Sequence, residues 1–130
     1  MTEKLLHSEI TETILASYYQ LNKVLPYGLP TDIYRNALAV EFEHNNLSIE
    51  RNVTIEVRHR NKPIGNLIAD FIINQKVMVL LFNVEMLKKQ SEEEAKHFLR
   101  YSNYEVCIIL NPKGDNEYKR IFFTNDFKKK

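Results

Sequence analysis

The chain has 130 residues, 44% hydrophobic and 27% charged, the length of one ordinary globular domain with a real core, and no second domain is expected. Lysine and arginine number 18 against 17 for aspartate and glutamate, a formal net charge of +1, so no global field draws the protein to nucleic acid or anionic lipid; any such binding needs a local patch. The single cysteine, Cys107 within EVCIIL, cannot form an intramolecular disulfide, and MTEKLLHSEITET holds no long apolar run, so a cytoplasmic protein without secretory signal or membrane span is expected.

Leu6, Ile10, Ile14, Ser17 and Leu21 recur at helical spacing and predict an amphipathic helix that ends before Pro26-Tyr27-Gly28. Pro30, Thr31 and Asp32 start a second helix, with Thr or Asp as cap and a broad apolar face made of Ile33, Ala37 and Val40 beside Tyr34, Leu38 and Phe42. From Ile49 to Arg60 the period becomes two: Val53, Ile55, Val57 and His59 alternate with Thr54, Glu56, Arg58 and Arg60, a half-exposed strand. Asn61-Lys62-Pro63 supplies a turn, Ile64 to Ile73 resumes as a strand, and Val77 to Val84 is apolar on both faces, as a central strand would be. Ser91-Glu92-Glu93-Glu94 reads as a helix cap and acidic first turn before Ala95, Phe98, Leu99 and Tyr101, a helix over 91–102. Tyr104 to Leu110 and Tyr118 to Phe123 are strands separated by the turn-rich Asn111-Pro112-Lys113-Gly114-Asp115-Asn116. The expected order is α-α-β-β-β-α-β-β, an α/β sandwich around a mixed central sheet, as one domain over 1–127 with a solvated basic tail at 128–130.

Three stretches carry a resemblance: GLPTDIYRNALAVEF, the strand pair containing ADFII and VMVLLFNV, and EEEAKHFLRYSNYEVCIILN. In order and spacing they are similar to the GxxExxY family, small prokaryotic and viral proteins with the restriction-endonuclease-like PD-(D/E)XK fold. The similarity covers nearly the whole chain; its most specific parts are Gly28 with Tyr34 six residues on, the pair Ala69-Asp70, and Glu94-Ala95 before an aromatic-rich helix.

The resemblance implies a site assembled from several elements, and most of its positions have changed. The acid late in the first helix falls at Gln20 and the family's named Glu at Thr31. The Asp ending the second strand is kept as Asp70, but the Glu-x-Lys of the next strand falls at Leu80 and Phe82, and a Gln of the following helix at Lys96. A nuclease of this fold holds Mg²⁺ with two carboxylates and uses the lysine to stabilise charge or orient the nucleophile, which Leu and Phe cannot do. Leu80 and Phe82 would point with Met78 and Val84 into the place of metal and water. No catalytic residue, metal or other cofactor is therefore expected, and Asp70 is expected to find a cation in Lys96.

The favoured function is a non-catalytic binding or interaction module, engaging a protein or nucleic acid partner or itself. The alternative is a divergent Mg²⁺-dependent nuclease on DNA or RNA whose acids have moved, for example to Glu41 or Glu85. Arg58, Arg60 and Lys62 on a basic hairpin could contact phosphate, with weak nucleic acid binding expected. His7, His44, His59 and His97 show no ligand spacing and are expected at the surface, while Tyr18, Tyr19 and Tyr27 are expected to pack or form a rim. There is no Ser/His/Asp set, glycine-rich phosphate loop, CxxC pair or heptad run.

Overall fold

The computed structural model describes residues 6–25, 28–114 and 116–128. Helices α1 (Ser8–Val24) and α2 (Thr31–His44) precede strands β1 (Ile49–His59), β2 (Lys62–Ile73) and β3 (Val77–Leu81); helix α3 (Lys89–Arg100) leads to β4 (Val106–Asn111) and β5 (Glu117–Phe122). Among the described residues, five strands form one sheet in the order β1-β2-β3-β4-β5, parallel between β3 and β4 and antiparallel elsewhere. A parallel neighbour needs a crossover, and α3 supplies it. Among the described residues, no helix is long and apolar enough to cross a membrane.

Strand alternation divides the core in two. Val106, Ile108 and Leu110 of β4 join Phe71, Ile73, Val77 and Val79 beneath α1 and α2, where Ile14, Tyr18, Leu21, Leu38 and Phe42 pack on them. Cys107 and Ile109 join Ile72, Met78 and Leu80 beneath Ala95 and Leu99 of α3. All six residues of β4 are buried, the signature of a strand covered on both faces.

On α2 the buried stripe is Tyr34, Leu38, Ala39 and Phe42, whereas Ile33 and Val40 are 48% and 67% exposed. The apolar face is narrower than its spacing predicts because the two stripes are rotated from one another: Ala37 still packs at the edge of the core, while Ile33 and Val40 turn outward. Pro30, not Thr31 or Asp32, occupies the cap position, with no side-chain cap bond. The β1–β2 turn is Arg60-Asn61, both left-handed (φ 49° and 66°), and β2 already starts at Lys62. Pro63 is tolerated there because β2 pairs with β3 only from Phe71, so its neighbourhood is bonded on one side alone.

Strand β3 stops at Leu81, short of the expected Val84. Phe82 N still donates to Leu110 O, at 2.8 Å. Beyond it Asn111, fully buried, holds Val84 like a strand partner: Oδ1 accepts from Val84 N and Nδ2 donates to Val84 O, both at 3.0 Å. Glu117 Oε1 accepts from Asn111 Nδ2 at 3.1 Å and from Leu87 N at 2.8 Å, fixing the approach to α3. That helix starts two residues before Ser91, whose hydroxyl reaches back to accept from Lys88 N. Lys128, expected in a solvated tail, instead donates to the carbonyls of Ser102 and Tyr104 at 2.9 and 2.5 Å. Lys129 and Lys130, like Pro26, Tyr27 and Asp115, lie outside the described residues.

Candidate functional site

Two chain features locate the site. Pairing of β2 with β3 ends at Phe71 opposite Val79, and from there the two strands part. At the same point the side alternation of β2 breaks, since Ala69 packs with the α3-side cluster while Phe71, two residues on, packs beneath α1 and α2. The strand opposite accommodates this with Asn52, which stands between the partners of Phe71 and Ala69 in left-handed conformation (φ 53°). Asp70 sits at the break.

Both oxygens of its carboxylate have a partner. Oδ1 accepts from Arg35 Nε and Oδ2 from Leu81 N, both at 2.7 Å, with the Asp70 side chain 17% exposed. Arg35 Nη1 donates in turn to Asp32 Oδ1 at 2.6 Å, so one guanidinium on α2 lies between two carboxylates. Burial disfavours the Arg35 charge, but the bonds to Asp70 and Asp32 outweigh it and hold the group above its ordinary pKa. The expected Asp70–Lys96 pair does not form: Lys96 is half-exposed on α3 and lies 3.9 Å from Glu93, one turn earlier.

The remaining expected positions are dispersed. Leu80 is 3% exposed in the α3-side cluster with Met78, Ala95 and Leu99, and Phe82 packs against that cluster, but Val84 has left the strand and is partly exposed. Thr31 and Phe82 line a common cleft of about 580 Å³ with Gly28, Leu81 and Asn83. Gly28 there has φ 93°, a left-handed conformation suited to glycine. Gln20 is not in that cleft; it lines a separate depression with Val24, Val40, Glu41 and His44. On α1 the residue that faces the cleft is Asn22, two positions further on, whose Oδ1 accepts from the Tyr34 hydroxyl.

Apolar periodicity does not find Asn22 and Arg35, because it says nothing about which polar side chain turns inward, and it finds Asp32 only as a helix start. Arg35 carries a usable signal, standing three residues before Leu38 and seven before Phe42 on the stripe that meets the sheet. Glu85, a candidate relocated acid, is exposed and pairs with Lys113 at 3.0 Å. His44, His59 and His97 are exposed, whereas His7 is half-buried. Tyr18 is fully buried with its hydroxyl donating to Glu117 O at 2.8 Å, and Tyr19 meets the Tyr118 ring edge-on. At the hairpin tip Arg58 is held by Glu56 and by the Asn61 carbonyl, both at 2.5 Å, while Arg60 and Lys62 are exposed.

A divalent metal does not fit these residues. Mg²⁺ asks for oxygen ligands and room for several waters, yet one Asp70 oxygen faces a guanidinium and the other the Leu81 amide. Among the described residues, no group of three or more His, Cys, Asp and Glu side chains could hold a metal ion. No curated protein and no solved structure gives a significant match to the chain. The family model of the PD-(D/E)XK nuclease superfamily matches residues 8–121, from the first residue of α1 into β5. That span takes in every element that builds the sheet and its two helical layers. With the mixed sheet, the crossover helix and an aspartate at the point where β2 and β3 part, the chain belongs to the PD-(D/E)XK nuclease superfamily.

Proposed function

We propose that this chain is a non-catalytic, GxxExxY-type member of its superfamily that acts as a binding or interaction module, engaging a protein or nucleic acid partner or a second copy of itself. The observation that carries the reading is the burial of Leu80: the position where a catalytic member needs an acid is 3% exposed inside a hydrocarbon cluster that extends to Phe82. An ionised carboxylate there would stand without a partner in the buried cluster that includes Met78, Ala95 and Leu99. A cytoplasmic location agrees with the single cysteine, which is buried.

The test is incubation of the pure protein with plasmid, single-stranded DNA and RNA in Mg²⁺ or Mn²⁺. No cleavage is expected, and metal-dependent cleavage abolished by Asp70→Ala would overturn the reading. Contact with nucleic acid through Arg60 and Lys62 would be weak, because Arg58 is already committed to Glu56 and the turn. Affinity should then fall with salt along a shallow slope, about 0.9 per phosphate neutralised on B-DNA, and vanish in an Arg60→Ala/Lys62→Ala variant. A salt-sensitive complex at submicromolar concentration and physiological ionic strength would instead make nucleic acid the principal partner.

A further inference from the structure

Asp70 and Asp32 share one cation, and that cation belongs to the chain. We propose that the Arg35 guanidinium is the resident cation of this site, standing at Asp70 where a divalent metal would stand in a catalytic member of the superfamily and converting a metal ligand into an anchor for α2. The proposal deepens the non-catalytic reading and rests on it in one respect, since a nuclease working through Asp70 would need its Oδ1 free.

The geometry supports it from both partners. Arg35 presents Nε to Asp70 and Nη1 to Asp32, so the planar fork sits between two carboxylates as a bridging cation would. Asp32 follows directly on Thr31, the position where the resemblance places the family's acid, so an acid still stands beside the cation though displaced by one residue. The two carboxylates differ: Asp32 is 91% exposed and its contact is screened, whereas the Asp70 and Arg35 side chains are only 17% and 21% exposed. The link to Asp70 is therefore the one that fastens α2. Asp70 also completes the sheet, because Leu81 lies past the last β2–β3 partners and its amide finds the carboxylate instead of a ladder carbonyl. Removing Arg35 would leave a poorly hydrated charge at Asp70, which a small divalent cation could then relieve.

The test is a titration of the ¹⁵N-labelled full chain with millimolar MnCl₂, read as paramagnetic broadening of backbone amides, with thermal unfolding alongside. The wild-type chain should show no selective broadening at Asp70 and Leu81. Arg35→Gln and Arg35→Ala should show saturable broadening centred on those two amides and a melting temperature lower by about 5 °C. The double variant Arg35→Ala/Asp70→Asn should lose the broadening and melt above Arg35→Ala. Broadening at Leu81 in the wild type, or folded Arg35 variants with neither broadening nor a lowered melting temperature, would overturn the proposal. If Arg35→Ala does not fold, Arg35→Gln and the wild-type titration still decide it. Metal-dependent DNA cleavage without broadening at Leu81 would defeat the non-catalytic reading and leave this one standing; broadening there without cleavage would do the reverse.

Discussion

The sequence places Asn111 first in a turn-rich stretch, because Asn-Pro with Gly two residues on is turn chemistry, yet its side chain is fully buried and makes three hydrogen bonds. The misreading has a physical cause: a carboxamide that mimics a peptide group is equally at home in a turn and opposite a strand end, and only the fold shows which. Asn111→Ala would strand Val84 N and O away from any partner, and a loss of about 3 kcal/mol in urea unfolding is expected. A loss below about 1 kcal/mol would mean that water takes over those bonds. Gly114 belongs to the same construction, since a Cβ there would come within 2.6 Å of both Asn111 Nδ2 and Glu117 Oε1. Gly114→Ala should therefore weaken the same bracket, visible as faster exchange of the Val84 and Leu87 amides.

At the scale of the element, β3 keeps its role in the sheet while presenting hydrocarbon to α3. Replacing Leu80 with Glu and Phe82 with Lys together should not produce nuclease activity, because Arg35 still occupies Asp70, and should lower the melting temperature by about 10 °C through burial of charge against Ala95 and Leu99. A double variant as stable as the parent would show that water reaches this wall. Most of the architecture was legible because the strands differ in pattern: alternation along β1, and continuous apolar runs in β3 and β4 where both faces are covered. What was not legible depended on closure in three dimensions. Ile33 and Val40 satisfy helical spacing as well as Tyr34 and Leu38 do, and only docking separates the stripes. The resemblance points to Lys96 on α3 as the partner of Asp70, but the break in β2 opposite Asn52 leaves the carboxylate within reach of α2.

For the molecule as a whole, three buried groups among the described residues make the fold sensitive to alkali. Burial pushes the hydroxyls of Tyr18 and Tyr34 and the thiol of Cys107 above their ordinary values, with Asp70 adding to the effect on the thiol. Each group has a folded-state pKa above its unfolded one, so its contribution is fully present below the unfolded value and is lost as pH rises towards the folded value. The melting temperature should fall above about pH 9, and less steeply in Tyr18→Phe, which also gives up the bond to Glu117 O. The same burial should keep Cys107 silent to thiol reagents until the protein unfolds. The parallel pairing of Val77 with Val106 has a further consequence, for the order of assembly. The β1–β2 hairpin closes over a two-residue turn, whereas β3 must wait for α3 to bring β4 alongside, a longer loop and a later entropic barrier. Once in place, that pair is sealed on both faces, so its amides should open to solvent only when the entire fold does, while those of Val57 and Gly65 near the hairpin tip exchange by local fraying.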